Sequence, residues 1–152
     1  MPDPPETLTS NAGWNIIKHS ALLKNVVGKI QNMGVRTAIF IDPTTFNDEQ
    51  FNALLEVSPD RVELYTEEFA DSFNNNSSGD TLKQYSQWAK KIKDANIKIN
   101  AGHDLNQKNL GLFLKEVPEV DEVSIGHAIF CEALYDGITP TIKNYLKICG
   151  RS

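Results

Sequence analysis

The sequence predicts a parallel α/β protein, and three observations carry that reading. Short runs rich in branched apolar residues alternate with stretches of helical periodicity, turn formers bound nearly every run, and two of the strand ends close on a glycine–histidine pair. Strands are expected at 35–41 (stopped by Asp42-Pro43), 61–66, 97–101 and 122–125. Repetition of strand, helix and strand implies parallel pairing through right-handed crossovers.

The helical stretches follow in order. Over 19–33, Leu22, Leu23, Val26, Val27 and Ile30 form one stripe, and Gly34 supplies a stop. Asp48 is a suitable cap for a helix carrying Phe51, Leu54 and Leu55. Leu82, Tyr85, Trp88, Ala89 and Ile92 recur at helical spacing over 81–95, as do Leu110, Phe113 and Leu114 over 107–117. A last helix is expected to open at Thr139-Pro140, with proline at its first position, and to bury Ile142, Tyr145 and Leu146. The polar segment 72–80, Ser-Phe-Asn-Asn-Asn-Ser-Ser-Gly-Asp, reads as a mobile surface loop, with a binding loop as the alternative.

Composition narrows the class. At 152 residues, with 40% hydrophobic and 23% charged residues, the chain suits one soluble domain with a real core. A net charge of -5 and the lack of a basic cluster argue against a nucleic-acid partner. Neither a secretion signal nor a stretch of membrane-spanning length is visible, so no membrane partner is expected. Cys131 and Cys149 have no metal-like spacing and read as reduced thiols, which places the expected domain in the cytoplasm.

Four strand–helix units make either an open sheet or part of a barrel, since a complete (β/α)8 barrel needs eight units and about 250 residues. The chain starts at Met1-Pro2-Asp3, directly before the polar Thr9-Ser10-Asn11 loop, as though a strand were ending there. The expectation is therefore a single domain over 1–152, the back half of a barrel without its front half.

The runs Ile99-Asn100-Ala101-Gly102-His103 and Val123-Ser124-Ile125-Gly126-His127 set two glycines and two imidazoles at the carboxyl ends of neighbouring strands. Folds of this class bind ligands there. Glycine lets main chain approach a ligand, free N–H groups at a helix start favour an anion, and histidine moves protons near neutral pH. Together they point to chemistry on a small phosphorylated molecule.

Along nearly its whole length the chain resembles the carboxyl-terminal part of the pyridoxine 5′-phosphate synthase family. The resemblance rests on Met1-Pro2-Asp3 with Leu8-Thr9-Ser10, on Ile39-Phe40-Ile41-Asp42-Pro43 and on Val62-Glu63-Leu64-Tyr65-Thr66. It is most specific in Asn100-Ala101-Gly102-His103-Asp104-Leu105-Asn106 followed by Ser124-Ile125-Gly126-His127-Ala128-Ile129. It implies a TIM barrel, here roughly its strands five to eight, in a homo-oligomer. It also implies the condensation of 3-amino-2-oxopropyl phosphate with 1-deoxy-D-xylulose 5-phosphate in vitamin B6 biosynthesis. Pyridoxine 5′-phosphate, inorganic phosphate and water are released, with no metal and no organic cofactor.

Carried over by residue, the resemblance makes His103 the proton donor and Thr9 a contact to the deoxyxylulose phosphate. It makes Gly126 and His127 the holders of the amino ketone's phosphate, chiefly through main-chain N–H groups. Asp104 stands where the family has glycine; it is kept in the substrate-binding set through its main-chain donor, while its carboxylate is unfavourable beside phosphate unless paired. Tyr65 and Glu67 replace a histidine and a glycine that many members carry. The family's Asn-Ile-Asp-His block, its arginine-rich second-strand block and its third-strand glutamate have no counterpart, so the chain alone is expected to be inactive. A non-catalytic half-barrel that binds phosphate or a partner chain is the alternative, and another phosphate-handling barrel enzyme a third reading.

Taken without the family, His103 fits a helix-capping loop histidine as well as a proton-transfer group. His19 reads as a solvated or packed side chain, Trp14 and Trp88 as packing residues, Asp42 as a turn former, and Cys131 as no nucleophile. Glu63 should point opposite to Val62 and Leu64, either as a rim residue paired with Lys98 or as a group orienting the site. If the front half is missing by misplacement of the start, sequencing upstream of Met1 should reveal an in-frame continuation carrying the Asn-Ile-Asp-His block; an immediate stop codon would oppose it.

Overall fold

In the computed structural model, which describes Thr7 and residues 11–150, four parallel strands lie in the order β1-β2-β3-β4. They are β1 (Ala38–Ile41), β2 (Arg61–Tyr65), β3 (Lys98–Gly102) and β4 (Glu122–Ser124). Helix α1 (Ile16–Asn32) precedes β1, and α2 (Asp48–Val57) joins β1 to β2. Helices α3 (Glu67–Asn74) and α4 (Ser78–Asp94) join β2 to β3, and α5 (Leu110–Glu116) joins β3 to β4. The hairpin of α6 (His127–Asp136) and α7 (Ile138–Ile148) follows β4. Every strand pairs with the next in sequence, and the order never reverses as it does at the switch point of a doubly wound sheet. Right-handed crossovers stepping in one direction put their helices on one face, as in a sector of a barrel.

Register explains what each face carries. Ile39, Val62 and Ile99 form one row, Ile41, Leu64 and Ala101 another, and all six are fully buried beneath the helices. Leu23, Leu54, Phe69, Tyr85, Ile92 and Phe113 close on them from the helical layer. The alternate rows point the other way and hold Phe40, Arg61, Glu63, Tyr65, Asn100 and Glu122. Arg61 donates to Asn100 Oδ1 at 2.7 Å and pairs with Glu122 at 3.2 Å. Arg36, just before β1, also approaches Glu122, at 4.0 Å. Arg61 of β2 and Arg36 ahead of β1 thus both reach Glu122 of the last strand across a polar concave face. Exposed apolar side chains include Phe130, Leu134, Tyr135 and Ile138 of the last hairpin, and Met33 and Val35 after α1.

The start of the sheet is fastened by two carboxylates. Asp60 accepts from the Thr37 N–H (2.7 Å) and hydroxyl (2.8 Å), which hold its carboxyl below the usual range. Asp121 accepts from Ile99 N–H at 3.0 Å and from Lys93 at 2.7 Å, tying the segment before β4 to β3 and α4.

Several expectations shift. The 72–80 segment is no long loop: Phe69 and Phe73 pack together and Phe69 meets Phe113, drawing 67–74 into α3 and leaving three residues before α4. Asn47, not Asp48, caps α2, accepting from Gln50 N–H at 2.9 Å. The last helix begins at Ile138, just after Gly137 with its φ of 83°, rather than at Thr139, and Ile142 and Leu146 stay exposed on it. β1 is shorter than expected and begins at Ala38, because Val35 and Arg36 are exposed and lie ahead of the ladder.

Glu63 does not pair with Lys98, which sits one pleat lower opposite Arg61 and turns to Asp121 at 3.4 Å. Burial pushes the Glu63 carboxyl above its ordinary value, against a hydrogen bond from Ser124. The folded chain therefore binds the Glu63 proton more tightly than the unfolded chain, and stability is lost as pH rises through that raised value. Glu63→Gln should lose less stability than the parent as pH rises above the ordinary carboxylate range; parallel curves of melting temperature against pH would contradict this.

Candidate active site

The carboxyl ends of β3 and β4 open into one cleft of about 360 Å³ that both glycine–histidine exits line. His103, Asp104 and Asn106 form one wall, Ser124, Gly126 and His127 another, and Ala70, Asp71 and Asn74 of α3 the third. Parallel register produces this juxtaposition, because Gly102 lies opposite Ser124 and each strand turns immediately afterwards.

At the first exit the chain turns sharply. His103 and Asp104 have φ values of 96° and 56°, conformations that L residues adopt rarely and aspartate more readily than most. The glycine usual in the family at position 104 matches that backbone need. Thr66, fully buried after β2, holds the turn: its N–H donates to Gly102 O at 3.1 Å and its hydroxyl donates to the His103 carbonyl. The imidazole meets the edge of Tyr65 with ring centroids 4.7 Å apart. Its Nδ1 lies 2.9 Å from Asp104 Oδ2. The Asp104 carboxylate is therefore paired with the neighbouring imidazole, and Asn109 Nδ2 donates to the Asp104 carbonyl at 3.1 Å.

Gly102 makes room for a neighbouring side chain. A Cβ there would lie 2.7 Å from Glu63 Oε1 and 3.0 Å from Ser124 Cβ, so the absent side chain makes room for Glu63 beneath the exit. Gly126 has open space where a Cβ would be, and its main chain is free to meet a ligand.

The second exit leads directly into α6, whose N-cap is Gly126 without a capping side chain. Phe130 N–H donates to Gly126 O, so the N–H groups of the first turn have no acceptor within the helix. These donors and the positive helix end suit an anion. The His127 ring turns along its own helix, with Nε2 3.5 Å from Cys131 Sγ, and leaves the main chain facing the cleft.

Thr9 lies outside the described residues. Sequence reasoning missed Thr66, whose position directly after a strand was the available signal, and two α3 residues that line the cleft, Asp71 just before the expected loop and Asn74 within it. Tyr65 is 5% exposed, and among the described residues its hydroxyl has no hydrogen-bond partner. Among the described residues, no group of three or more His, Cys, Asp or Glu side chains is placed to hold a metal, and no helix is long and apolar enough to cross a membrane.

Comparison with known proteins agrees with this geometry. The family model for "Pyridoxal phosphate biosynthesis protein PdxJ" matches residues 1–151. A pyridoxine 5′-phosphate synthase of Christiangramia forsetii is 43% identical over 148 residues, covering 97% of this chain and 61% of its own length. That of Cytophaga hutchinsonii is 42% identical, covering 97% and 60%, and one from Xylella fastidiosa is 37% identical, covering 97% and 56%. The chain thus spans about 60% of the length of the curated relatives it matches. On a match running through both strand exits and almost every residue between the termini, the chain belongs to the pyridoxal phosphate biosynthesis protein PdxJ family.

Proposed function

We propose that this chain is the rear portion of a pyridoxine 5′-phosphate synthase, with β1 to β4 as the fifth to eighth strands of its barrel. The observation carrying the proposal is the cleft that brings together His103 and the α6 helix start at Gly126 and His127. The reaction is the condensation of 3-amino-2-oxopropyl phosphate with 1-deoxy-D-xylulose 5-phosphate, releasing inorganic phosphate and water.

In this reading the amino ketone's phosphate sits on the main-chain donors of Gly126 and His127, where dipole and unpaired N–H groups favour it without a charged side chain. The main-chain N–H of Asp104 offers a further donor, and Thr9 contacts the other substrate. His103 supplies the proton for the dehydration and imine steps. Glu63, half-buried beneath the exit and biased toward its neutral form, lies on the concave side that faces the reacting carbons. The second and third strands of the complete barrel supply the remaining acid–base groups and the arginines, so the chain by itself does not turn over.

Assays with both substrates test this. The chain alone should show no turnover, and in-frame fusion to the leading segment of the Christiangramia forsetii relative should restore it. In that fusion His103→Ala should lower kcat by about 100-fold to 10,000-fold, the span of a general acid–base group. A folded fusion without activity would overturn the assignment; turnover by the unfused chain would overturn its incompleteness.

The exposed apolar residues of α6 and α7 favour a second reading, in which the half-barrel associates with other chains and performs no chemistry. Light scattering should then show a defined oligomer whose mass falls when Leu134 and Tyr135 are replaced by serine, and a monomer at all concentrations would rule this reading out.

A further inference from the structure

We propose that Asp104 is a positioning residue that fixes the tautomer of His103, holding the proton on Nδ1 and leaving Nε2 as the atom that exchanges protons in the cleft. The proposal rests on His103 being the proton-transfer group, but its test requires no turnover, so the two can fail separately.

Four observations support it. Asp104 Oδ2 is 2.9 Å from Nδ1, and an ionised carboxylate can only accept, so Nδ1 is the donor in that bond. Among the described residues Nε2 makes no hydrogen bond, while the imidazole lines the cleft. The ring cannot swing freely, because Tyr65 packs against it at 4.7 Å and Thr66 clamps the His103 carbonyl. Lastly, the Asp104 backbone, at φ 56° and fastened by Asn109 through its carbonyl, aims the carboxylate back at the preceding side chain.

Chemically, the tautomer of a neutral imidazole is set by the hydrogen bond that one nitrogen makes; with Nδ1–H held by Asp104, Nε2 first takes up a proton and the resulting imidazolium then gives it from that same atom. A glycine at position 104 leaves that choice to water or substrate. With aspartate the choice is made before substrate arrives. The pairing also accounts for how a carboxylate is accommodated beside a phosphate cradle: it faces the imidazole, and its own N–H remains available to an anion.

Heteronuclear NMR of the isotope-labelled chain near pH 8.5, where an ordinary imidazole (~6.5) is neutral, reads the two ring nitrogens separately. His103 should show a protonated Nδ1 and an unprotonated Nε2. Asp104→Gly, which suits the positive φ and so preserves the turn, should move both nitrogen shifts in opposite directions, toward the Nε2–H form. Asp104→Asn, which keeps an acceptor oxygen, should retain the parent pattern. A parent His103 already in the Nε2–H form would overturn the proposal, as would identical spectra for the parent and Asp104→Gly. Should the glycine variant fail to fold, the parent spectrum together with Asp104→Asn still decides.

Discussion

Everything in this molecule depends on six apolar residues packed in two rows beneath the helices. Ile39, Val62 and Ile99, then Ile41, Leu64 and Ala101, commit one face of each central strand to the helical layer. Because side chains alternate along a strand, that commitment sends the intervening residues to the opposite face. A slip of one residue would bury Arg61 and Glu63 and expose the core, so the register is strongly specified. The strand exits inherit their alignment from the same register. Gly102 meets Ser124 because the rows below them match, and both histidines reach one cleft as a result.

How much of this was legible in the sequence follows from the same physics. The four strands and the stripes of α1, α4 and α5 stood out because branched apolar runs and helical periodicity are local signals. The short α3 was not legible. It runs straight into a stretch of asparagines and serines that resembles a loop, and its packing depends on the distant Phe113 meeting Phe69, which in turn meets Phe73. Arg61, Glu63, Asn100 and Glu122 make the face away from the helices polar. A strand sequence states its alternation but not which of its faces lies under a helix.

The site divides in a similar way. His103, Gly126 and His127 announce themselves by residue type at a strand end. Thr66 does not, since its contribution is a hydrogen bond to a main-chain carbonyl 37 residues away. Gly102 has a role that the sequence did not announce: its missing side chain accommodates Glu63. Asp104 was the residue most exposed to misreading, because its effect depends on a backbone conformation that composition does not encode.

The two ends of the sheet differ in their tasks. Asp60 and Asp121 tie the strand starts to their neighbours through main-chain and side-chain donors, at the pole away from the cleft. The strained turn at His103 and Asp104 sits at the other pole, beside the cleft. Cohesion and chemistry thus reside on separable sets of atoms. A lineage could redraw the rim of this pocket, as the aspartate at position 104 illustrates, while the fasteners beneath kept the scaffold intact.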